Sequence, residues 1–358
     1  MTKLLQRGLA LETFLIDHAD EDVARALDAF AKACSTIACE LRRGPLGPSL
    51  ESESISLGPD GDLQKPLDLI ADALILKALA NAGVVACVSE EMREPAWLGD
   101  LGGDFPGALA GRRQGRLIAA IDPLDGSSNI DANVTLGSIL SLMEAPAPPD
   151  ASAFLQAGRR QKAAAFALYG PHTSFIFTLG DGVHVATLDF SARLFRMSQF
   201  RVRIPEGANE FAINAANARH WPAPVKAYVA DCLAGREGPR GKDFNMRWVA
   251  TAAADAYRIL MRGGVYLYPG DARAGYADGR LHRLYETNPL AFIVEQAGGE
   301  ASDGVARILD AVPASIHERT PFIFGSGDKV EGVKSYFAEG AFPATRAPLF
   351  NQRGLLRP

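Results

Sequence analysis

Residues 116–129 read RLIAAIDPLDGSSN, and this stretch decides the fold around it. The run of 116–121, which is apolar after its first residue, is typical of a buried β-strand. Two carboxylates, Asp122 and Asp125, follow it, and the proline and glycine beside them favour a tight turn. Ligands commonly bind at the carboxyl end of such a strand. Oxygen ligands suit a hard cation such as Mg²⁺, and the backbone carbonyl of Leu124 can join the two aspartates.

The next residues, Gly126, Ser127 and Ser128, offer successive backbone N–H groups and two hydroxyls. A turn of this composition can bind a phosphate group. When the pattern stands alone, however, a turn stabilised by its own Asp side chains, without a ligand, is the more common meaning. The ligand hypothesis therefore depends on whether other acidic residues accompany it.

Five further acidic residues occupy positions of a similar kind. A glutamate pair follows the apolar run of 84–88, and another glutamate precedes a helix predicted to start at Pro289. Two aspartates flank the start of a helix predicted over 66–81. Each has an ordinary alternative as a turn residue, a solvated side chain or a favourable charge at a helix N-terminus. The five residues are Asp62, Asp68, Glu90, Glu91 and Glu286.

The apolar periodicity predicts helices and strands along the whole chain. Apolar residues recur every three or four positions from Val23 to Leu41, which indicates a helix that ends at Gly44. Further helices are predicted over 66–81, 245–262 and 289–297, strands over 84–88, 116–121, 138–143, 163–168, 174–179, 183–188 and 265–268, and loops over 99–115 and 145–149. The pattern changes near residue 200, so we expect one domain over 1–200, a second over 201–335 and an extension over 336–358.

Composition limits the classes of function. The chain has 358 residues, of which 47% are hydrophobic, and its length suggests about two domains. A membrane-spanning run of about 18 apolar residues is absent, and the start does not match a secretory signal. The net charge of −5 argues against a nucleic-acid partner. The four cysteines lack CxxC spacing, so neither a zinc site nor a disulfide framework is predicted, and a cytoplasmic location fits best.

Six motifs together resemble the class I fructose-1,6-bisphosphatases, within the larger group of lithium-sensitive, magnesium-dependent sugar and inositol phosphatases. They are SEE (89–91), DPLDGSSNID (122–131), ALYG (167–170), INAAN (213–217), GGVYLYP (263–269) and LYETNPLAFIVEQAGG (284–299). The acidic motif alone indicates only the larger group, and the others narrow the resemblance to the bisphosphatases. It implies an α+β fold, a layered α/β/α/β/α sandwich with two α/β domains.

The resemblance also implies a reaction, the Mg²⁺-dependent hydrolysis of the 1-phosphate of fructose 1,6-bisphosphate in gluconeogenesis or the Calvin cycle. Two or three Mg²⁺ ions, or Mn²⁺, would activate a water molecule. The implied metal ligands are Glu90, Glu91, Asp122, the Leu124 carbonyl, Asp125 and Glu286. Catalytic roles with the attacking water fall to Asp62, on a mobile loop, and to Asp68 and Glu91. Asp125, Gly126, Ser127 and Ser128 would bind the 1-phosphate.

The implied contacts to the sugar and the distal phosphate lie in the second half of the chain, at Asn214, Asn217, Arg247, Tyr268 and Arg280. Arg247 is expected to begin a helix, where the helix dipole would add to its charge. In the family this arginine reaches the neighbouring subunit, which implies a homo-oligomer, with a tetramer favoured. Asn217 and Trp248 replace tyrosines of the animal enzymes, and Arg280 replaces a lysine, so the geometry of phosphate binding differs in detail.

Two alternatives remain open. A sedoheptulose-1,7-bisphosphatase, or an enzyme that accepts both sugars, would use the same chemistry. An inactive protein that binds sugar phosphates as a regulator belongs to a different class, although all seven acidic candidates are present. Acidic residues stand where animal enzymes bind AMP, so AMP inhibition is expected to be weak even though Arg159 matches a family arginine.

Overall fold

The computed structural model describes residues 7–46, 56–57, 63–98, 116–146 and 150–338. The helices in these ranges are α1 (Leu11–His18), α2 (Glu21–Arg43), α3 (Pro66–Asn81), α4 (Ala223–Leu233), α5 (Ala252–Arg262), α6 (Asn288–Gln296) and α7 (Gly327–Ala338). The predicted loop of 99–115, residues 147–149 of the next loop and residues 339–358 of the predicted extension lie outside the described residues.

Most described strands belong to two sheets. Strands β1 (Ser56–Leu57) and β2 (Leu63–Gln64) pair with each other. The large sheet contains β3 (Ala86–Ser89), β4 (Ala96–Trp97), β5 (Leu117–Asp125), β6 (Leu136–Glu144), β7 (Ala163–Tyr169), β8 (Thr173–Thr178), β9 (Val183–Asp189) and β10 (Leu194–Val202), in the order β10-β9-β8-β7-β6-β5-β3-β4. Only the β3–β5 pair of this sheet is parallel.

The small sheet has the order β12-β11-β13-β17-β15. Its strands are β11 (Glu210–Ala212), β12 (Asn245–Met246), β13 (Val265–Tyr268), β15 (Glu300–Ser302) and β17 (Phe322–Gly325). Strands β14 (Leu281–His282) and β16 (Arg319–Thr320) form a separate antiparallel pair. The predicted strands are confirmed to within a few residues, except that β5 is longer than expected.

The helices and sheets alternate in layers. Strand β7 shows this clearly, because Ala163, Ala165 and Ala167 pack with α1, α2 and α3, whereas Ala164 and Phe166 pack with α5 and α6. One face of the small sheet packs against α5 and α6, and its other face packs against α4 and α7. A strand that is buried on both faces needs an apolar residue at nearly every position. The arrangement confirms the predicted α/β/α/β/α sandwich.

Helix α2 confirms the clearest periodic pattern in the sequence. Val23, Leu27, Phe30, Cys34 and Ile37 are buried on one face of the helix. The backbone of the following glycine has a φ of 51°, which ends the helix. Among the described helices, none combines the length and the apolar character needed to cross a membrane.

The prediction of a helix over 245–262 is wrong in its first part. Residues Asn245–Met246 form β12, which pairs in parallel with β11, and the helix begins only at Ala252. Ala250 has a φ of 62°, a left-handed backbone conformation that interrupts helical geometry. Pairing with the small sheet, which is remote in sequence, therefore outweighs the helical tendency of this segment.

Candidate active site

The ends of three separate segments meet at one edge of the large sheet. Asp122 and Asp125 lie at the end of β5, and Glu90 follows β3, which is parallel to β5. Glu286 lies in a π-helical turn between β14 and α6. Ligand atoms of Asp122, Asp125 and Glu286 lie within 4.8 Å of one another, as do those of Glu90, His282 and Glu286. Glu286 is thus common to two groups that can bind a metal ion.

Strand β5 does not end at the apolar run, as the sequence suggested. It continues through Asp125, and its pairing with β6 becomes irregular between Asp122 and Asp125. The backbone N–H of Leu124 donates to Asp122 Oδ1 over 3.0 Å. The tight turn therefore begins at Gly126, after a local bulge that brings the two carboxylates to the same edge of the sheet.

Buried hydroxyl groups support this bulge. Ser138 Oγ donates to the carbonyl oxygen of Pro123 over 2.6 Å, because a carbonyl can only accept. The hydroxyl of Tyr169 then donates to Ser138 Oγ over 2.8 Å. The ALYG motif thus supplies a side chain that helps to fix the backbone between the two aspartates.

The N-terminus of helix α5 holds Asp125. Its two carboxylate oxygens accept N–H groups from Ala252, over 3.2 Å, and from Ala253, over 2.7 Å. Backbone N–H groups at a helix N-terminus favour negative charge. This contact joins the acidic motif to a helix that begins more than a hundred residues later, and the sequence pattern did not indicate it.

A buried carboxylate also lies behind the glutamate pair. Ser89 Oγ donates to Asp72 Oδ1 over 2.5 Å and accepts the backbone N–H of Glu91 over 3.2 Å. Burial raises the pKa of Asp72 to about 6. Asp72 was not among the predicted site residues, although it follows Asp68 by one turn of α3.

The acids of the metal-binding groups are crowded, and Asp122, Asp125 and Glu286 are buried, whereas Glu90 is partly exposed. Burial, and next the negative charge of Glu286, raise the pKa of Glu90 to about 8. Burial raises the pKa of Asp125 to about 7, although the hydrogen bond from Ala253 opposes the increase. Burial and the charge of Glu90 hold the pKa of Asp122 well above its usual value. Since cations favour ionised carboxylates, this cluster of oxygen ligands fits a divalent metal ion.

The proposed catalytic acids have different surroundings. Asp68 is buried, and its Oδ2 accepts the backbone N–H of Lys65 over 2.8 Å. Within the described residues its Oδ1 has no hydrogen-bond partner, and burial raises its pKa to about 6. Glu91 is partly buried, and its charge contributes to the raised pKa of Glu90. Asp62 lies outside the described residues.

The turn that is predicted to bind phosphate follows Asp125 directly in the chain. Gly126 has a φ of 81° and precedes a short 3₁₀ turn, Ser127–Asn129. A Cβ at Gly126 would lie 2.3 Å from Thr251 Oγ1, so the turn packs directly against the start of α5. Asn129 Nδ2 donates to that same hydroxyl over 2.8 Å. Ser127 is partly buried and Ser128 is exposed.

Aromatic and basic side chains cluster around Tyr268 at the end of β13. The ring centroid of Tyr268 lies 5.7 Å from that of Trp248. The guanidinium groups of Arg280 and Arg273 lie 4.6 Å and 4.7 Å from the ring centroid of Tyr276. Burial raises the pKa of Tyr268, and the charge of Arg280 opposes this increase. Arg273 and Tyr276 were missed, because a Gly- and Asp-rich loop gave no signal of its own.

The two predicted asparagines lie on a neighbouring turn. Asn214 Oδ1 accepts the N–H of Ala216 over 3.1 Å, and the carbonyl of Asn217 accepts the N–H of His220 over 2.8 Å. The carbonyl of His220 accepts the N–H of Ala272 over 3.2 Å. The turn is therefore attached to the loop that carries Arg273.

Arg247 does not begin a helix, so the expected contribution from a helix dipole is wrong. Its N–H donates to the carbonyl of Phe211 over 2.8 Å, which continues the β11–β12 pairing. Its Nε lies 3.7 Å from Glu210 Oε1, and Arg258 and Arg262 also pair with Glu210. The side chain of Arg247 is 52% exposed in the single chain.

The layered fold and the acidic edge of the large sheet are those expected of a sugar phosphatase. Two family models match the chain, the N-terminal domain of fructose-1-6-bisphosphatase over residues 10–199 and its C-terminal domain over residues 204–338. The chain therefore belongs to the fructose-1,6-bisphosphatase family.

Relatives and a solved structure agree with this assignment. The chain is 49% identical over 339 residues to a class 1 fructose-1,6-bisphosphatase of Bradyrhizobium diazoefficiens, covering 94% of this chain and 93% of the relative. It is 46% identical over 361 residues to that of Sinorhizobium medicae, covering 98% and 99%. The holo form of Leishmania major fructose-1,6-bisphosphatase superposes with a TM-score of 0.83 at 29% identity, covering 93% of this chain and 99% of that one.

Proposed function

We propose that the protein hydrolyses the 1-phosphate of D-fructose 1,6-bisphosphate to give fructose 6-phosphate and inorganic phosphate. The observation that carries this proposal is the buried group of Asp122, Asp125 and Glu286 beside the turn at Gly126. A cation-binding group next to successive backbone N–H groups and hydroxyls suits a phosphate ester. Relatives with 46–49% identity support the choice of sugar.

Magnesium is the proposed cation, with two or three ions at each site and manganese as a substitute. Glu90, Glu91, Asp122, the Leu124 carbonyl, Asp125 and Glu286 would provide the ligands, all of them oxygen atoms, which Mg²⁺ and Mn²⁺ prefer. The chemistry that such ions supply when bound is activation of water and neutralisation of phosphoryl charge.

The protein groups would orient the reactants. Asp68 and Glu91 would accept hydrogen bonds from the attacking water, and Asp62 would complete the site. The raised pKa of Asp68, about 6, suits a group that accepts a proton near neutral pH. The turn of Gly126, Ser127 and Ser128, together with Asp125, would hold the 1-phosphate in place.

The distal phosphate and the sugar would bind in the second half of the chain, at Asn214, Asn217, Tyr268 and Arg280. Arg280 beside the aromatic rings offers a planar donor for phosphate. This division corresponds to a metal- and 1-phosphate-binding domain over 1–200, a sugar-binding domain over 201–335 and an extension over 336–358, of which residues 336–338 form the end of α7.

We propose that the protein acts as a homotetramer in the cytoplasm, with Arg247 contributing to the site of a neighbouring subunit. The exposure of Arg247 supports this role, because 52% of its side chain is exposed in the single chain even though its guanidinium Nε lies 3.7 Å from Glu210 Oε1. Sedimentation analysis of the wild type and of Arg247→Ala, each with substrate titration, tests it. Tetramers with a raised KM for the variant are expected, whereas a fully active monomer would contradict the proposal.

A phosphate-release assay tests the function itself. Purified protein is incubated with fructose 1,6-bisphosphate or sedoheptulose 1,7-bisphosphate, with and without Mg²⁺, and the kcat/KM values are compared. Mg²⁺-dependent release with a higher kcat/KM for the fructose ester is expected, and Asp122→Asn should abolish it while the exposed Asp17→Asn retains it. A higher kcat/KM for sedoheptulose 1,7-bisphosphate would show that the proposed substrate is wrong. Binding of the bisphosphates without release of phosphate would indicate a regulatory protein.

A further inference from the structure

Glu286 accepts two hydrogen bonds from one residue that the sequence did not single out. The backbone N–H of His282 donates to Glu286 Oε2 over 2.6 Å. The Nδ1 atom of the same histidine lies 3.0 Å from Oε2. His282 is 3% exposed, and the π-helical turn between the two residues brings them together. Oε2 of Glu286 therefore lies within hydrogen-bond distance of both the backbone N–H and the imidazole Nδ1 of His282.

The cross-strand partner of His282 determines which ring nitrogen carries the proton. The β14–β16 register places Arg319 opposite His282, and Arg319 Nε lies 3.3 Å from His282 Nε2. An arginine Nε–H group can donate but cannot accept. The Nε2 atom must therefore accept, so the proton of the neutral ring is on Nδ1, and Nδ1 donates to Glu286.

The same distances raise a second possibility. His282 Nδ1 lies 3.6 Å from Glu90 Oε1 as well as 3.0 Å from Glu286 Oε2, a spacing that would also suit three ligands of one metal ion. A metal ligand, however, must present a lone pair, whereas the contact with Arg319 requires a proton on Nδ1. The hydrogen bond from Arg319 thus opposes direct coordination by the imidazole.

We propose that His282 is a positioning residue for the metal centre and not a ligand. Its two N–H groups occupy Glu286 Oε2, so that Oε1 is the oxygen that binds the cation. The centre then consists of oxygen ligands alone, which favours Mg²⁺ or Mn²⁺ over Zn²⁺. This proposal rests on the metal site of the proposed function, and it adds the residue that orients one ligand.

Manganese binding to the purified, full-length protein tests the proposal without any measurement of activity. The signal of unbound Mn²⁺ in electron paramagnetic resonance gives the affinity. Electron–nuclear double resonance on the bound ion shows whether a nitrogen is coordinated. The variants are His282→Asn, whose amide can donate from the position of Nδ1, and His282→Leu, which cannot donate. His172→Asn, at an exposed position, is the control.

We expect no nitrogen coupling in the wild type. The affinity of His282→Leu should fall by about tenfold or more, as is typical when a residue that orients a metal ligand is lost. The affinity of His282→Asn should remain within about threefold of that of the wild type, because the donor to Glu286 is restored. The His172→Asn control should match the wild type.

Coupling to a coordinated nitrogen in the wild type, or an unchanged affinity of His282→Leu, would overturn the proposal. If His282→Leu fails to fold, as judged by circular dichroism without metal, the wild-type spectrum and His282→Asn still decide the question. Failure of the wild type to bind Mn²⁺ at all would instead count against the metal site of the proposed function, so the two failures are distinguishable.

Discussion

Removal of one negative charge from the acidic cluster should stabilise the metal-free protein and abolish its response to Mg²⁺. The variant is Asp122→Asn, whose side-chain oxygen can still accept the N–H of Leu124. Ligand atoms of Asp122, Asp125 and Glu286 lie within 4.8 Å. At an effective dielectric constant of about 20, two unit charges at that separation repel by about 3.5 kcal/mol.

Partial protonation of the wild type relieves some of this repulsion, so the expected gain is on the order of 3 kcal/mol. For a chain of this size, about 2 °C of melting temperature corresponds to 1 kcal/mol, which gives an increase of about 6 °C. Thermal unfolding of the metal-free proteins at pH 8 measures it. Saturating Mg²⁺, at about 100 times its Kd, should stabilise the wild type by about 2.7 kcal/mol for each ion bound and leave the variant unchanged.

The difference between the two proteins should depend on pH. In the folded protein the pKa values of Glu90 and Asp125 are raised, to about 8 and about 7. The folded state therefore binds more protons than the unfolded state between about pH 4 and pH 8, and the stability of the metal-free wild type falls as pH rises through that range. At pH 5 the advantage of Asp122→Asn should be small.

The exposed Asp17→Asn is the matched control, and its melting temperature should equal that of the wild type under all conditions. Equal melting temperatures of wild type and Asp122→Asn at pH 8 without metal would refute the repulsion argument. A full Mg²⁺ response of the variant would show that Asp122 is not a metal ligand.

Three further predictions concern the turn, the distal phosphate and AMP. Gly126→Ala should lower the free energy of unfolding by about 2 kcal/mol and reduce kcat. The φ of Gly126 is 81°, and the new Cβ would lie 2.3 Å from Thr251 Oγ1. Denaturant unfolding measures the loss of stability, and phosphate-release assays measure kcat. Arg280→Met should raise the KM for fructose 1,6-bisphosphate by about tenfold with little change in kcat, since the variant would lose the charged hydrogen bond proposed between Arg280 and the distal phosphate; an equal loss in kcat would contradict a binding role. Millimolar AMP should leave the activity largely unchanged, since the acidic residues Asp20, Glu21 and Asp22 at the start of α2 would repel the AMP phosphate, and micromolar inhibition would argue against this expectation.

Local patterns predicted the elements that frame the site. Helix α3 has the predicted bounds, Pro66–Asn81, because a proline at the first turn and a glycine after the end are local signals. The acidic motif at the end of β5 was also evident, because two carboxylates that directly follow an apolar run can be recognised from neighbouring residues alone. The longer course of β5 and the late start of α5 were not predicted, because pairing with distant strands decides them.

The sequence by itself determined which residue types are available, namely seven acids in family order, a turn that suits phosphate, and an apolar framework that is buried on both faces of a sheet. Only the tertiary structure decided how those acids are held. The N–H groups of α5 that hold Asp125, and the imidazole of His282 that reaches Glu286 while Arg319 fixes its tautomer, come from separate segments. Hydrogen-bond direction and strand register depend on positions in space, which the local pattern of residues does not specify.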